Sequence, residues 1–310
     1  MLALPTREAI YNQILKEKNL AQDNYRRRYI KSLFRYTKRD TIIYASAFSS
    51  SFKIIEQIPS FAISIVIDDI NGFMQSLHGL KGRSLDLILH SPGGNLEAST
   101  QIIQYLRSKY EHIRTIIPQN AMSAATMMAC ASDVIIMGKH SAIGPIDPQI
   151  TFETTTGHYH TAPAQSIIDD FENAKEEVLK NPKTSALWAR KIIDYPYGFL
   201  KQCENTVKLA QKTAEKWLNQ YMFKGKQPDL SKKIAKWLSS TNEHLTHGRP
   251  ISMKLAQEKG LKVEALEDDQ NLQEKVLSLF HSTLATFDHT PCVKLIENHE
   301  GKGIYMRLTK

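Results

Sequence analysis

Leu85-Asp86-Leu87-Ile88-Leu89-His90-Ser91-Pro92-Gly93-Gly94 is the stretch that decides the fold. A short run of apolar, β-favouring residues ends abruptly in Pro-Gly-Gly, which reads as a buried strand entering a tight turn. Directly after it, Asn95 opens a helical pattern carried by Ala98, Ile102, Tyr105 and Leu106, and residues 113–118 read as the next strand. Residues 121–131 are predicted to be a helix of small side chains. Residues 133–137 form a further strand, closed by Gly138 and the turn-rich residues 141–148. Strand, helix and strand at this spacing predict right-handed crossovers and a mostly parallel sheet covered on both faces, an α/β fold.

Outward from that core, residues 41–45 and 62–67 are two more predicted strands, and Asp68 or Asp69 caps a helix bearing Ile70, Phe73, Met74 and Leu77. Downstream the period changes. Leu200, Cys203, Val207, Ala210, Ala214, Trp217 and Tyr221 step by three and four, predicting one long amphipathic helix over residues 197–222. A short partner helix starts near Asp229 or Ser231. Residues 263–285 read as helical, and residues 292–308 as a hairpin turning between Gly301 and Gly303. Three segments result: a basic amphipathic helical arm (1–39), an α/β domain (40–265) and a C-terminal extension (266–310).

With 310 residues, 42% of them apolar and 23% charged, the chain can bury a sizeable core, which excludes disordered and disulfide-scaffold classes. Its net charge of +8 is concentrated at the start. Residues 1–40 carry ten basic and four acidic side chains, including Arg26-Arg27-Arg28, so the arm is a candidate for nucleic acid or an anionic surface. Tyr25, Tyr29, Leu33 and Tyr36 recur through it at helical spacing, which favours a helix packed on a body or a neighbouring subunit. Cys130, Cys203 and Cys292 have no metal spacing and suit a reducing compartment; a cytoplasmic location is expected. The N-terminus lacks the pattern of a signal peptide. The longest uncharged stretch, 115–132, includes Pro118, Gln119 and Asn120 and does not read as a membrane span.

Two segments carry chemistry. The glycines after residues 85–90 let backbone N–H groups face outward, an arrangement suited to an oxyanion hole. In Ala121-Met122-Ser123-Ala124-Ala125-Thr126 a single hydroxyl sits among small residues where a strand meets a helix, so a substrate carbonyl can approach it closely. Neighbouring parallel strands place their C-terminal turns side by side, bringing the two segments together.

On these residues the chain resembles the Clp-protease/crotonase superfamily, and within it the serine dehydrogenase proteinase family, relatives of signal peptide peptidase A. The resemblance covers about Asp40 to Ala265. It rests on residues 87–94, on Ala121-Met122-Ser123-Ala124, on Ile143-Gly144-Pro145-Ile146-Asp147-Pro148-Gln149, and on Thr246-His247 followed by Pro250-Ile251. It implies a ββα spiral core and a serine peptidase with Ser123 as nucleophile and an oxyanion hole from the backbone near Gly93, Gly94 and Ala124. Such cores commonly form rings or trimer-based assemblies, so a homo-oligomer acting on peptides or unfolded proteins is expected.

Relatives use either a Ser-His-Asp triad or a Ser-Lys dyad. Where some membrane-bound relatives carry a lysine after the motif resembling residues 163–168, this chain has Asp169. Lys175 is the nearest lysine downstream, about 9 Å further along a helix, and is held in reserve as a base. His247, in the segment that lies beside the active site in Clp proteases, is the first choice, with His244 a weaker candidate. Asp147 falls where those proteases carry their catalytic histidine, and a carboxylate there suits an acid that orients His247. No cofactor is expected: a Schiff-base lysine and phosphate loop for pyridoxal phosphate are not placed, and His158 and His160 have no third metal ligand. A non-catalytic scaffold that binds peptide or protein partners is the alternative, and an acyl-CoA enzyme of the crotonase side a further one.

Overall fold

A computed structural model describes residue 10 and residues 21–50, 58–154 and 156–308. Much of the expected basic arm, and the stretch in which a signal peptide was sought, lies outside these residues. In chain order, helix α1 (Ala21–Thr37) leads to strand β1 (Asp40–Ser46), helix α2 (Asp69–Leu77), strand β2 (Ser84–His90), helix α3 (Leu96–Lys109) and strand β3 (His112–Ile117). Short β4 (Asn120–Ala121), helix α4 (Ala124–Cys130) and strands β5 (Val134–Met137) and β6 (Ala142–Ile143) follow. A hairpin of β7 (Gln149–Glu153) and β8 (Tyr159–Pro163) precedes helices α5 (Ala164–Lys180), α6 (Ser185–Ile192), α7 (Phe199–Trp217) and α8 (Pro228–Leu238). The chain then runs through β9 (Ile251–Ser252), α9 (Met253–Glu258), β10 (Val263–Ala265), α10 (Gln270–His289) and the hairpin β11 (Cys292–Asn298) and β12 (Gly303–Arg307).

Seven of these strands form one sheet in the order β10-β5-β3-β2-β1-β11-β12, parallel from β10 to β1 and antiparallel beyond. Alternation along each strand sorts its residues into two layers. Leu85, Leu87 and Leu89 of β2 join the apolar layer under α2, α3, α4 and α7, while Ile88 joins the layer under α1 and α10. Burial on both faces is why β2 reads as an almost unbroken apolar run. Its one charge, Asp86, is neutralised by Arg114 on the adjacent strand and by Arg39.

Two predicted elements differ. Residues 62–67 are not a strand: Pro59 starts a helical turn, Ser60–Ile63, and only Ile65 bridges, to Gly94. Both edges of β1 are already occupied, by β2 and β11, so no edge of that strand is open to this apolar run. Likewise Val263–Ala265 is a parallel edge strand on β5, and the helix begins only at Gln270, where the Asp269 carboxylate caps it by accepting from Leu272 N–H.

The basic helix is less solvated than its charge suggests. Arg26 is fully buried, its Nε donating to Glu297 at 2.7 Å and its Nη1 to Thr286 at 2.7 Å, while Arg27 donates to the other Glu297 oxygen at 2.9 Å. Two of the three consecutive arginines are therefore engaged by one carboxylate of β11. Tyr25 and Leu33 are buried in the same interface, whereas Tyr36 stays exposed and bonds Asp269. Among the described residues no helix is long and apolar enough to cross a membrane.

Candidate active site

A second, three-stranded sheet, β4-β6-β9, assembles the candidate groups. β4 pairs in parallel with β6, and β6 pairs antiparallel with β9. Ser123 follows β4 by two residues, Asp147 follows β6 by four, and His247 precedes β9 by four. Three short strands in register thus gather residues that are up to 124 apart in sequence. Thr126 reinforces the arrangement: its hydroxyl donates to Ala121 O at 2.8 Å and accepts from Gly144 N–H at 2.9 Å, tying the β4 turn to the β6 turn.

Ser123 sits at φ +51°, ψ −120°, a conformation that L-residues seldom adopt, between the end of β4 and the first turn of α4. Such a strained strand-to-helix hinge pushes the hydroxyl outward instead of capping the helix, and the Ser123 side chain makes no cap bond. Gly93 lies against it. A Cβ on Gly93 would stand 2.6 Å from Met122 O and 2.7 Å from Ser123 Cβ, so only glycine fits there. The two turns are stitched together by Ser91 N–H to Asn120 O at 3.1 Å and Met122 N–H to Ser91 O at 2.9 Å.

The three backbone groups expected as oxyanion donors are not equivalent. The Gly93 N–H already donates to Ser91 Oγ at 3.2 Å. Among the described residues no acceptor takes the N–H of Gly94 or of Ala124, and both residues line the same cleft. That cleft has a volume of about 340 Å³ and is also lined by Ser123 and His247. Thr206 and Ala210 of α7 form part of its wall, a contribution the helical period alone did not signal.

Asp147 is 2% exposed and lies beneath His247. Its Oδ1 accepts from His247 Nδ1 at 2.8 Å, and its Oδ2 accepts from Gln149 Nε2 at 2.8 Å. An ionised carboxylate can only accept, so the proton of a neutral His247 resides on Nδ1 and its Nε2 carries the lone pair. The sequence motif around Asp147 includes Gln149 but assigns it no role; its position two residues after Asp147 is the signal that could identify it as a partner of the carboxylate.

The reserve candidates lie elsewhere. Lys175 is on α5, 58% exposed, with Nζ 3.1 Å from Glu172, and is not among the residues lining the cleft. His244 is buried with Nε2 2.8 Å from Trp237 O, and burial lowers its pKa. His158 and His160 are exposed on the β7–β8 hairpin, and among the described residues no group of three or more candidate ligands gathers to hold a metal.

His90 ends β2 just before the glycine turn, fully buried between the rings of Phe48 and Phe280. Asn120 N–H donates to its Nδ1 at 3.4 Å, so its Nε2–H donates to Ser49 Oγ at 2.9 Å. Burial pushes its pKa down to about 3. Between about pH 3 and pH 6.5 the unfolded chain therefore takes up a proton here that the folded chain refuses. This share of stability is complete above pH 6.5 and is lost as pH falls. Urea denaturation at pH 7 and pH 5 should give a drop in unfolding free energy that is smaller by about 2 kcal/mol in His90→Asn, whose side chain has no proton to gain. An equal drop in both chains would refute a neutral buried His90.

Comparison with known proteins identifies the family of the chain. Residues 10–298 match the family described as ClpP-like SDH-type serine proteinase, so the chain belongs to that family and the expected α/β fold is the one observed. An uncharacterized protein of Methanocaldococcus jannaschii, MJ0137, is 31% identical over 221 residues, 69% of this chain and 64% of that protein. A second one from the same organism, MJ1495, is 33% identical over 196 residues, 63% of this chain and 55% of that protein. The match thus spans less than two thirds of either relative. Among solved structures, an alanine mutant of the 1510-N membrane-bound stomatin-specific protease gives a TM-score of 0.40 at 16% identity, covering 68% of this chain and 79% of that one. A further alanine mutant of it, in complex with a substrate peptide, gives 0.36 at 17% identity, covering 63% and 65%.

Proposed function

We propose that this member of the ClpP-like SDH-type serine proteinase family hydrolyses peptide bonds through an acyl-enzyme on Ser123, with His247 as general base and Asp147 as its orienting acid. The observation that carries the reading is the 2.8 Å bond from His247 Nδ1 to the buried Asp147, which leaves Nε2 as an acceptor in the cleft that Ser123 lines. As Ser123 Oγ attacks the scissile carbonyl, its proton passes to His247 Nε2, and Asp147 stabilises the resulting imidazolium. The carbonyl oxygen becomes an oxyanion facing the N–H groups of Gly94 and Ala124, with Gly93 providing the space for its approach. Collapse expels the amine, which takes the proton from His247. Water then repeats the sequence on the acyl ester and frees Ser123. Every step uses a side chain or amide of this chain.

The same reading takes residues 40–265 as the catalytic unit, braced by the described residues 21–39 and 266–308 of the flanking segments 1–39 and 266–310. It also places the protein in the cytoplasm, as a homo-oligomer whose substrates are peptides or unfolded proteins. The test is labelling of the full chain with a fluorophosphonate probe. We expect one modified residue, Ser123, found by peptide mass mapping. A folded protein that stays unlabelled while a control serine peptidase reacts would return the chain to a binding role without catalysis.

A further inference from the structure

We propose that Lys294 and Asp69, both outside the lining of the cleft, are positioning residues that hold the oxyanion turn in shape. The inference rests on the peptidase reading above. Its starting point is a buried ion pair with no part in the chemistry: Lys294 Nζ lies 2.8 Å from Asp69 Oδ1, and their side chains are 2% and 1% exposed. Both partners also grip one segment of backbone. Lys294 Nζ donates to Ser64 O at 2.8 Å, and Asp69 Oδ2 accepts from Val66 N–H at 2.9 Å and from the Tyr44 hydroxyl at 2.6 Å.

Residues 64–66 are the surface on which the glycine turn is laid. Ile65 N–H donates to Gly93 O at 2.7 Å, and Asn95 N–H donates to Ile65 O at 2.9 Å. Gly94, between them, sits so close that a Cβ would stand 2.4 Å from Ile65 O and 2.5 Å from Ile65 N. The plane of the Gly94 peptide, and so the aim of its free N–H, follows the backbone of Ile65. Ser64 itself lines the cleft, so the gripped carbonyl belongs to a lining residue and directly precedes Ile65.

Stability alone gives no reason for charges here, because a buried ion pair is often no better than apolar side chains of the same volume. Directionality does. The pair fixes a carbonyl and an N–H that bracket Ile65, and burial together with the Asp69 carboxylate keeps the Tyr44 phenol protonated as a donor. Lys294 belongs to β11, so the last hairpin of the chain reaches the cleft through this contact.

The test uses the full chain and the neutral pair Asp69→Asn/Lys294→Gln, which avoids leaving one buried charge alone. Fluorophosphonate labelling should show the maximal inactivation rate reduced about tenfold or more, with the probe's half-saturating concentration within twofold of wild type. The 31P resonance of the phosphonylated protein should also shift, because its oxygen meets displaced donors. A folded variant with wild-type rate and wild-type resonance would overturn the inference while leaving the peptidase reading intact. An unlabelled wild type would overturn both. Should the double variant fail to fold, Tyr44→Phe, which removes one donor to Asp69, carries the same test. It should slow labelling about threefold or more, and an unchanged rate would overturn the inference.

Discussion

Ser123→Ala is expected to remain folded and to lose peptide hydrolysis by on the order of 10⁴-fold or more, together with all fluorophosphonate labelling. The loss of rate follows from removing the atom that forms the acyl ester, while the cleft and the N–H groups of Gly94 and Ala124 stay in place. Substrate binding should therefore persist, with KM within a few-fold of wild type. Stability separates this from a merely structural serine. An ordinary N-cap serine replaced by alanine costs about 1 kcal/mol, but Ser123 makes no cap bond. Alanine inherits the same φ of +51° and should leave the melting point nearly unchanged. Ser123→Gly, equally inactive, should be at least as stable as wild type, because glycine relieves roughly 1–2 kcal/mol of left-handed strain and returns part of it as chain entropy. Residual turnover in Ser123→Ala near wild type, on contaminant-free protein, would remove Ser123 from the chemistry.

The parts of this site that are legible in sequence are those whose physics is local. Gly93 and Gly94 announce a turn that no larger residue fits, and the small residues around Ser123 announce close backbone approach. The strands 84–90, 112–117 and 134–137 are legible because burial on both faces concentrates Leu, Ile and Val in short runs, as in Leu87-Ile88-Leu89, Ile116-Ile117 and Val134-Ile135-Ile136. What the sequence hides is long-range pairing. Nothing near residues 62–67 reveals that β1 already has neighbours on both sides, so an apolar run there reads as a strand although its backbone is spent on Gly93 and Asn95. The same blindness affects charge. Arg26-Arg27-Arg28 resembles a solvated or nucleic-acid-binding face until Glu297, some 270 residues away, accounts for two of its members. Lys294 and Asp69 are equally invisible, one in a C-terminal strand and one at a helix start, until the fold brings them together under Ile65.

Asp147→Asn is the second large effect, and its size depends on Gln149. The Gln149 amide donates to Asp147 Oδ2, and His247 Nδ1 donates to Oδ1. An asparagine has a single acceptor to meet both donors. With its oxygen toward Gln149, its NH2 faces His247 Nδ1, which must then become the unprotonated nitrogen. The proton moves to Nε2, and the lone pair that should receive the Ser123 proton disappears. The expected outcome is a fall in kcat of about 10³–10⁴-fold with KM little changed, comparable to the effect of a wrong tautomer in other serine peptidases. His247→Ala should be at least as severe, and the Asp147→Asn/His247→Ala double variant no worse than His247→Ala alone, since the carboxylate acts only through the imidazole. Lys175→Ala should stay within twofold of wild type, because its ammonium is spent on Glu172 at the surface. If instead Lys175→Ala removes activity and Asp147→Asn retains it, the proton leaves Ser123 by a lysine, and the bond between His247 and Asp147 only anchors the loop ahead of β9.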